Sequence, residues 1–172
     1  MSDTRTQLIA MLPRLRRFCR GLTGSAEEGD ELVQMACERA LSRLHQWQEG
    51  TRLDSWLYRI AQNVWINKMR QEKTRNTVPD LEAVSAVAGG DSRQDVETRD
   101  LHQKTMAAMR HLPPDQREVL VLVCVEGFSY REAAETLGLK IGTVMSRLSR
   151  ARLRLWQMVH GDPAVAAAAQ KG

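Results

Sequence analysis

The stretch YREAAETLGLKIGTVMSRLSRARLR, running from Tyr130 to Arg154, decides how the rest of the chain is read. A short amphipathic segment up to Leu137 meets a turn at Gly138, and a second segment follows with Val144, Leu148 and Leu155 at helical spacing. That pattern predicts a helix-turn-helix, whose second helix is shaped to enter the major groove of a DNA duplex. Ser129 and Glu132, three residues apart, form a capping box that starts the first of the two helices. Between Leu137 and His160 stand five basic residues, Lys140, Arg147, Arg150, Arg152 and Arg154, and no acid. A helix so charged faces phosphate with nothing to repel it, and Ser146, Arg147, Ser149 and Arg150 project near its outer face. The competing reading is a solvated basic helix in an unrelated bundle, which the turn spacing disfavours.

Upstream of this motif the helical pattern continues. Apolar residues from Val96 through Leu101, Met106 and Met109 lead to Leu112, where Pro113 and Pro114 break the helix. A further helix from Asp115 carries Val119, Leu120, Leu122, Val123 and Val125 to Gly127, a left-handed C-cap. Residues 76–95, rich in small and acidic side chains with adjacent Gly89 and Gly90, read as a flexible linker. Ahead of it, Leu8, Leu12, Leu15 and Leu22 mark a first helix with Arg14, Arg16, Arg17 and Arg20 interleaved. Ser25 and Glu28 form another capping box, opening a second helix with Leu32, Val33, Ala36, Ala40, Leu41 and Leu44 as its stripe. A third follows the turn-rich Gln48 to Asp54, with Leu57, Ile60, Ala61 and Val64 buried. The expected fold is all-α, with a helical domain over 1–75, a linker over 76–95, a helix-turn-helix domain over 96–160 and a tail over 161–172.

Composition narrows the function. With 42% apolar and 27% charged residues, the chain is an ordinary globular one. It has no apolar run long enough to span a bilayer and no signal-peptide order at its start, so a cytoplasmic protein without membrane insertion is expected. Its net charge of +4 is unevenly spread: Thr77 to Asp100 holds six acids against two arginines, leaving +8 on the remainder. Cys19, Cys37 and Cys124 lack metal-ligand spacing and read as buried structural thiols; the four histidines are scattered. Neither a metal nor a cofactor nor a small-molecule substrate is expected, and with no nucleophile–base pair or phosphate loop the chain has no catalytic residues and is not an enzyme.

The third helix separates this chain from other helix-turn-helix proteins. Arg59, Asn63, Asn67 and Arg70 lie at i, i+4, i+8 and i+11, along one polar stripe opposite the apolar one. Trp56, Tyr58 and Trp65 share the element and Trp47 precedes it, although aromatics make up only 5% of the chain. Rings beside arginines and amides suit single-stranded DNA, whose unstacked bases can be stacked on and read at their edges. Trp56 and Trp65 taken alone read more readily as core fillers; the polar stripe carries the argument.

Four segments, ELVQ (Glu31–Gln34), WLYRIAQN (Trp56–Asn63), LPPDQREV (Leu112–Val119) and GTVMSRLSRA (Gly142–Ala151), occur in an order and spacing that resemble the extracytoplasmic-function (ECF) sigma factors. This resemblance covers most of the chain. It implies a region-2 bundle followed by a region-4 domain, a protein that binds the clamp and flap of core RNA polymerase, and control by an anti-sigma factor. It points to Asp30, Glu31, Leu32 and Gln34 for the polymerase. For the melted minus-10 element it points to Arg59, Asn63, Asn67, Trp56 and Arg70, with the loop around Gly50 to Ser55 as a pocket for a flipped base. For the minus-35 duplex it points to Thr143, Ser146, Arg147, Arg150 and Lys140. The chain departs from the family pattern at Glu31, where Asp is usual, and at Met145, where a basic residue is usual. Lys140 and Ile141 replace a common Ser cap and Pro, and lysine there opposes the helix dipole. Two rivals stand beside this reading: a dimeric repressor, which gives no reason for the Asn63 and Asn67 stripe, and a sigma-like decoy that binds an anti-sigma factor without touching DNA.

Overall fold

The computed structural model describes residues 2–75 and 93–161. Among them all regular structure is helical: α1 (Ser2–Thr23), α2 (Ala26–Ser42), a 3-10 turn (Leu44–Gln46), α3 (Leu53–Arg75), α4 (Arg93–His111), α5 (Pro114–Leu120) continued by a π turn (Val121–Val125), α6 (Tyr130–Leu137) and α7 (Ile141–His160). Most of the expected linker and the tail beyond Gly161 lie outside the described residues, and α4 begins three residues before the expected domain edge.

The first three helices close on each other because their apolar stripes meet and one contact has no side chain. Leu15, Phe18, Cys19 and Leu22 of α1 are fully buried with Leu32, Ala36 and Ala40 of α2 and Leu57, Tyr58 and Ala61 of α3. Gly29 of α2 sits so close to α1 that a Cβ there would come within 2.7 Å of the Cα of Arg20. Two expected core residues are solvent-facing instead: Leu12 is 38% and Leu41 54% exposed. Leu41 lies well round α2 from Leu32, Ala36 and Ala40, so its helical spacing with Leu44 did not place it on the buried face. Ser25 does cap α2, accepting from the Glu28 amide at 3.4 Å, but the Glu28 carboxylate leaves the box to bond Arg110 of α4 at 2.7 Å.

In α4 to α7, the capping box forms in full at Ser129 and Glu132. Gly127 and Gly138 take left-handed φ of 72° and 67°, the second making the turn of the helix-turn-helix. Val144, Leu148 and Ala151 seat α7 against α5 and α6.

The two halves share one continuous core rather than standing apart. Gly21 of α1 admits Val121 of the π turn, whose methyls would lie 3.0 Å from a Cβ. Tyr58 stacks on Phe18 of its own half at 4.4 Å and tilts against Phe128 of the other at 5.6 Å. Arg117, 5% exposed, is the linchpin: its Nη1 donates to the Leu22 carbonyl at 2.7 Å, and its Nη2 to the Arg110 and Leu112 carbonyls at 2.6 and 2.9 Å. These oxygens end α1 and α4, so the guanidinium is neutralised by the negative ends of two helices rather than by a carboxylate. It also lies over Trp65 at 5.4 Å. Burial pulls its pKa down to about 10, still well protonated at neutral pH.

Candidate nucleic-acid interface

Helix α3 has two polar faces with opposite fates. Arg59, Asn63, Asn67 and Arg70 are all exposed and line its outer side. On the inner side, Gln62 is buried and donates to Glu118 of α5 at 2.7 Å, and the Tyr58 hydroxyl donates to Glu126 at 2.6 Å. Burial, then the bond to Glu126, pushes the Tyr58 hydroxyl pKa far up. The aromatic expectation is therefore corrected at Tyr58, a core residue that presents no face to a base; Trp65 is in the core, as the core-filling reading has it, and Trp56 is half-buried and packed against the core. Their hydrophobic area finds a second helical unit to cover it, a partner that spacing within α3 does not reveal.

The loop ahead of α3 is ordered by its own polar groups. Thr51 donates to the Gln48 carbonyl at 2.7 Å, Gly50 takes a φ of 90°, and Asp54 accepts from the Ser55 amide at 2.8 Å. Arg52 holds Asp54 through Nε and Nη2 at 3.1 and 2.8 Å, and its Nη1 pairs with Glu132 of α6. Burial alone would raise the Asp54 pKa; Arg52, the Ser55 amide and Arg14 outweigh it and hold the carboxyl below its ordinary range. Arg52 was not among the expected site residues; its fork to Asp54 is local, but its partners Glu132 and Phe128 lie far along the chain.

On α7, Lys140, Ser146 and Arg150 are exposed and Thr143 is half-buried. Lys140 occupies the N-cap without a side-chain bond, so the amides of Thr143 and Val144 close on its carbonyl alone, at 3.0 and 3.1 Å. Ser146 donates to the Thr143 carbonyl at 3.1 Å, and Arg150 folds back on Ser146 at 3.2 Å. Arg147 differs from expectation. Its guanidinium turns toward α5 and pairs with Asp115 and Glu118, each at 3.4 Å, leaving 23% of the side chain exposed. Ser149, Arg152 and Arg154 share the exposed side with Met145.

The α2 set divides in the same way. Asp30 is exposed and held by Arg20 at 2.9 Å and Arg16 at 3.5 Å; Glu31 pairs with Lys68 of α3; Gln34 is exposed and bonded to Glu38 at 3.4 Å. Leu32 is 1% exposed, a core residue that cannot meet a partner directly. Beside them a groove between α2 and α3 is lined by Met35, Arg39, Asn67 and Lys68 among others. Among the described residues, no group of His, Cys, Asp and Glu is placed to hold a metal, and no helix is long and apolar enough to cross a membrane. Cys19 is buried, with its pKa driven up by that burial; Cys37 is half-buried; Cys124 is exposed beside Arg152, against the expectation of a buried thiol.

Comparison with known proteins bears on both halves. The model of Sigma-70, region 4 matches residues 102–155, and the Sigma2 domain of PhyR matches residues 8–62. The chain is 37% identical over 161 residues to the ECF RNA polymerase sigma factor EcfG of Rhodopseudomonas palustris, covering 93% of this chain and 87% of the relative. The chain belongs to the ECF sigma factors. It is also 34% identical over 146 residues to the ECF sigma factor SigM of Mycobacterium tuberculosis, covering 85% of this chain and 71% of that one. The sigma factor RpoE of Bartonella quintana, solved in complex with the anti-sigma factor NepR, is similar with a TM-score of 0.74 and 29% identity, over 94% of this chain and 99% of that one. CnrH, solved with the cytosolic domain of CnrY, gives a TM-score of 0.63 and 26% identity, over 94% and 91% of the two chains. As an ECF sigma factor the chain is a transcription initiation factor, a family that is not enzymatic. Its α1–α3 half holds the sigma2 match, and the α4–α7 half the region-4 match.

Proposed function

We propose that this ECF sigma factor binds core RNA polymerase in the cytoplasm through α2 and the flap-facing side of α4–α7, places α7 in the major groove of the minus-35 duplex, and captures melted minus-10 bases on the outer face of α3. The single observation that carries this reading is that Arg59, Asn63, Asn67 and Arg70 all stand exposed in one row on a helix whose opposite face is buried. Holding unpaired bases there lowers the free energy of the open promoter. Each captured base that stacks or bonds contributes about 1 to 3 kcal/mol against the cost of unstacking. Lys140, Thr143, Ser146 and Arg150 are the groove-facing set, with Arg147 positioned by α5 behind them. Asp30, Glu31 and Gln34 form the polymerase-facing set. An anti-sigma factor is the expected inhibitor, since the similar RpoE and CnrH are each bound to a partner, NepR in one case and the cytosolic domain of CnrY in the other.

The similarity of residues 8–62 to the Sigma2 domain of PhyR favours a second reading, a decoy that binds an anti-sigma factor alone. The acid-free basic surface of α7 argues against it. One experiment separates the two. In permanganate footprinting with core polymerase, the wild-type chain opens its promoter, and the pair Arg59→Ala and Asn63→Ala cuts opening at least tenfold while still co-purifying with polymerase. Full opening by the double variant defeats the assignment of α3. No association of the wild-type chain with core polymerase leaves the decoy.

A further inference from the structure

The first turns of α7 carry apolar side chains that the described chain leaves uncovered. Met145 is 51% and Ile141 41% exposed, and with the exposed Ser149 they form one row, a turn apart. Single apolar residues are common on protein surfaces. This row, however, opens a helix that carries five basic side chains and no acid between Leu137 and His160, and helices of this motif set their N-terminal residues against base edges in the major groove. Leu153 and Trp156, also exposed, lie about 18 Å or more along the axis from Ile141, away from the end that enters the groove.

Gly142 stands beside them without serving the fold. It lies in the first turn of α7 with no left-handed φ, and a Cβ there would meet nothing within 4 Å. Glycine is a poor helix former, so the helix loses stability at Gly142 and gains no packing from it. What glycine provides is a bare backbone on an exposed face, with Met145 and Ser146 three and four residues on as its surface neighbours. A bare backbone next to a tall apolar side chain fits a partner that comes close and displays an apolar group to one side. In the major groove that group is the thymine methyl. Helical side chains lean toward the N-terminus of their helix, which directs Met145 toward Ile141 and the entering end. Met145 has no donor for a guanine edge, and nearby Arg147 is engaged by Asp115 and Glu118.

We propose that Met145, flanked by Ile141 and brought close by Gly142, is a specificity-determining residue that packs on a thymine methyl of the upstream duplex and selects an A·T pair there. This role rests on the sigma-factor reading, which puts α7 in the groove. Ser146 and Arg150 supply polar contacts to the same duplex, and Met145 adds the apolar one. Flexible and polarizable, the thioether chain moulds itself to the methyl and sheds little water in doing so.

The test uses holoenzyme formed from the full chain and core polymerase, bound to the promoter fragment used for permanganate footprinting. Each thymine of the upstream element, on either strand, is replaced in turn by deoxyuridine, which lacks only the methyl group. Wild type is expected to lose affinity roughly two- to fivefold at one or two adjacent positions. Met145→Ala, truncated at an exposed position, keeps its helical circular dichroism, binds the thymine duplex as weakly as wild type binds the uridine one, and no longer distinguishes the two. Its salt slope stays that of wild type, since no phosphate contact is lost. Gly142→Leu, whose side chain has open space in the free chain, keeps its thermal stability and loses promoter affinity. Indifference of wild type to every methyl, discrimination that survives Met145→Ala, or unimpaired affinity in Gly142→Leu would each overturn the proposal. In all three cases the holoenzyme still binds and opens its promoter, so the sigma-factor reading stands. A wild-type holoenzyme that neither binds nor opens the unmodified fragment defeats both.

Discussion

Helices α3 and α7 make the same offer in sequence, a row of arginines and small polar groups opposite an apolar stripe, yet they use their polar residues differently. On α3, the outer row of Arg59, Asn63, Asn67 and Arg70 is exposed, and the polar groups held by the second half, Gln62 and Tyr58, belong to the inner face. On α7 one member of the expected row, Arg147, leaves it and is anchored to Asp115 and Glu118 of α5. The difference teaches that charge and periodicity identify a face, while the partner that claims a particular side chain comes from elsewhere in the chain. Arg52 and Arg117 make the point again: each is an arginine whose role is set by residues 80 and 95 positions away.

The largest expected effect belongs to the arginine with no surface role. Arg117→Met removes a buried cation and leaves the carbonyls of Leu22, Arg110 and Leu112 without their donor. Such a loss costs about 3 to 5 kcal/mol, read as a large drop in the urea midpoint of the whole chain. Because Arg117 ties the ends of α1 and α4, the two halves should then unfold in separate steps. A single transition at an unchanged midpoint would remove Arg117 from its place as linchpin.

Next comes the contrast within α7. Arg150→Ala should weaken holoenzyme binding at the upstream promoter element by about 1 to 3 kcal/mol if its fork reads a base, or lower the salt slope by about one unit if it holds a phosphate. Arg147→Ala should cost less affinity than Arg150→Ala, about 1 kcal/mol or under, and show itself instead as a loss of stability. Equal losses of affinity from both variants, with stability unchanged, would return Arg147 to the groove.

Much of this was legible from sequence, for identifiable reasons. The helix-turn-helix rests on Gly138, which needs a left-handed φ, and on Ser129 with Glu132, whose capping box is local; local chemistry can be read locally. The exposure of the α3 stripe was legible because none of its four members is buried against the described residues of the second half. Leu32 was misplaced because the match to the polymerase-binding segment covers four consecutive residues, and a helix turns at least one of any four inward. Tyr58 was misjudged, and Trp65 left between two readings, because an aromatic near arginines looks the same in sequence whether it waits for a base or packs under a guanidinium. The π turn at Val121–Val125, which delivers Glu126 to the Tyr58 hydroxyl, has no sequence signature beyond Gly127 closing it.

The smallest effect sharpens the comparison from the acid side. Glu118 is 5% exposed, and its burial pushes its pKa above the ordinary glutamate range, an effect that the bond from Gln62 and the charge of Arg147 offset only in part. A carboxyl whose folded pKa is raised favours the fold while protonated. Its contribution is present below the unfolded value, about 4.3, and is lost as pH rises through the folded one. Ionised Glu118 is therefore a small burden at neutral pH. Glu118→Gln keeps an acceptor for Gln62 and removes the charge, so it should stabilise the chain by about 0.5 to 1 kcal/mol at pH 7 and by nothing near pH 4. It should also release Arg147 toward solvent and bring duplex affinity up slightly. Urea titrations at the two pH values decide it, and a variant less stable than wild type at pH 7 would mean that the pairs from Gln62 and Arg147 outweigh the dehydration of the carboxylate.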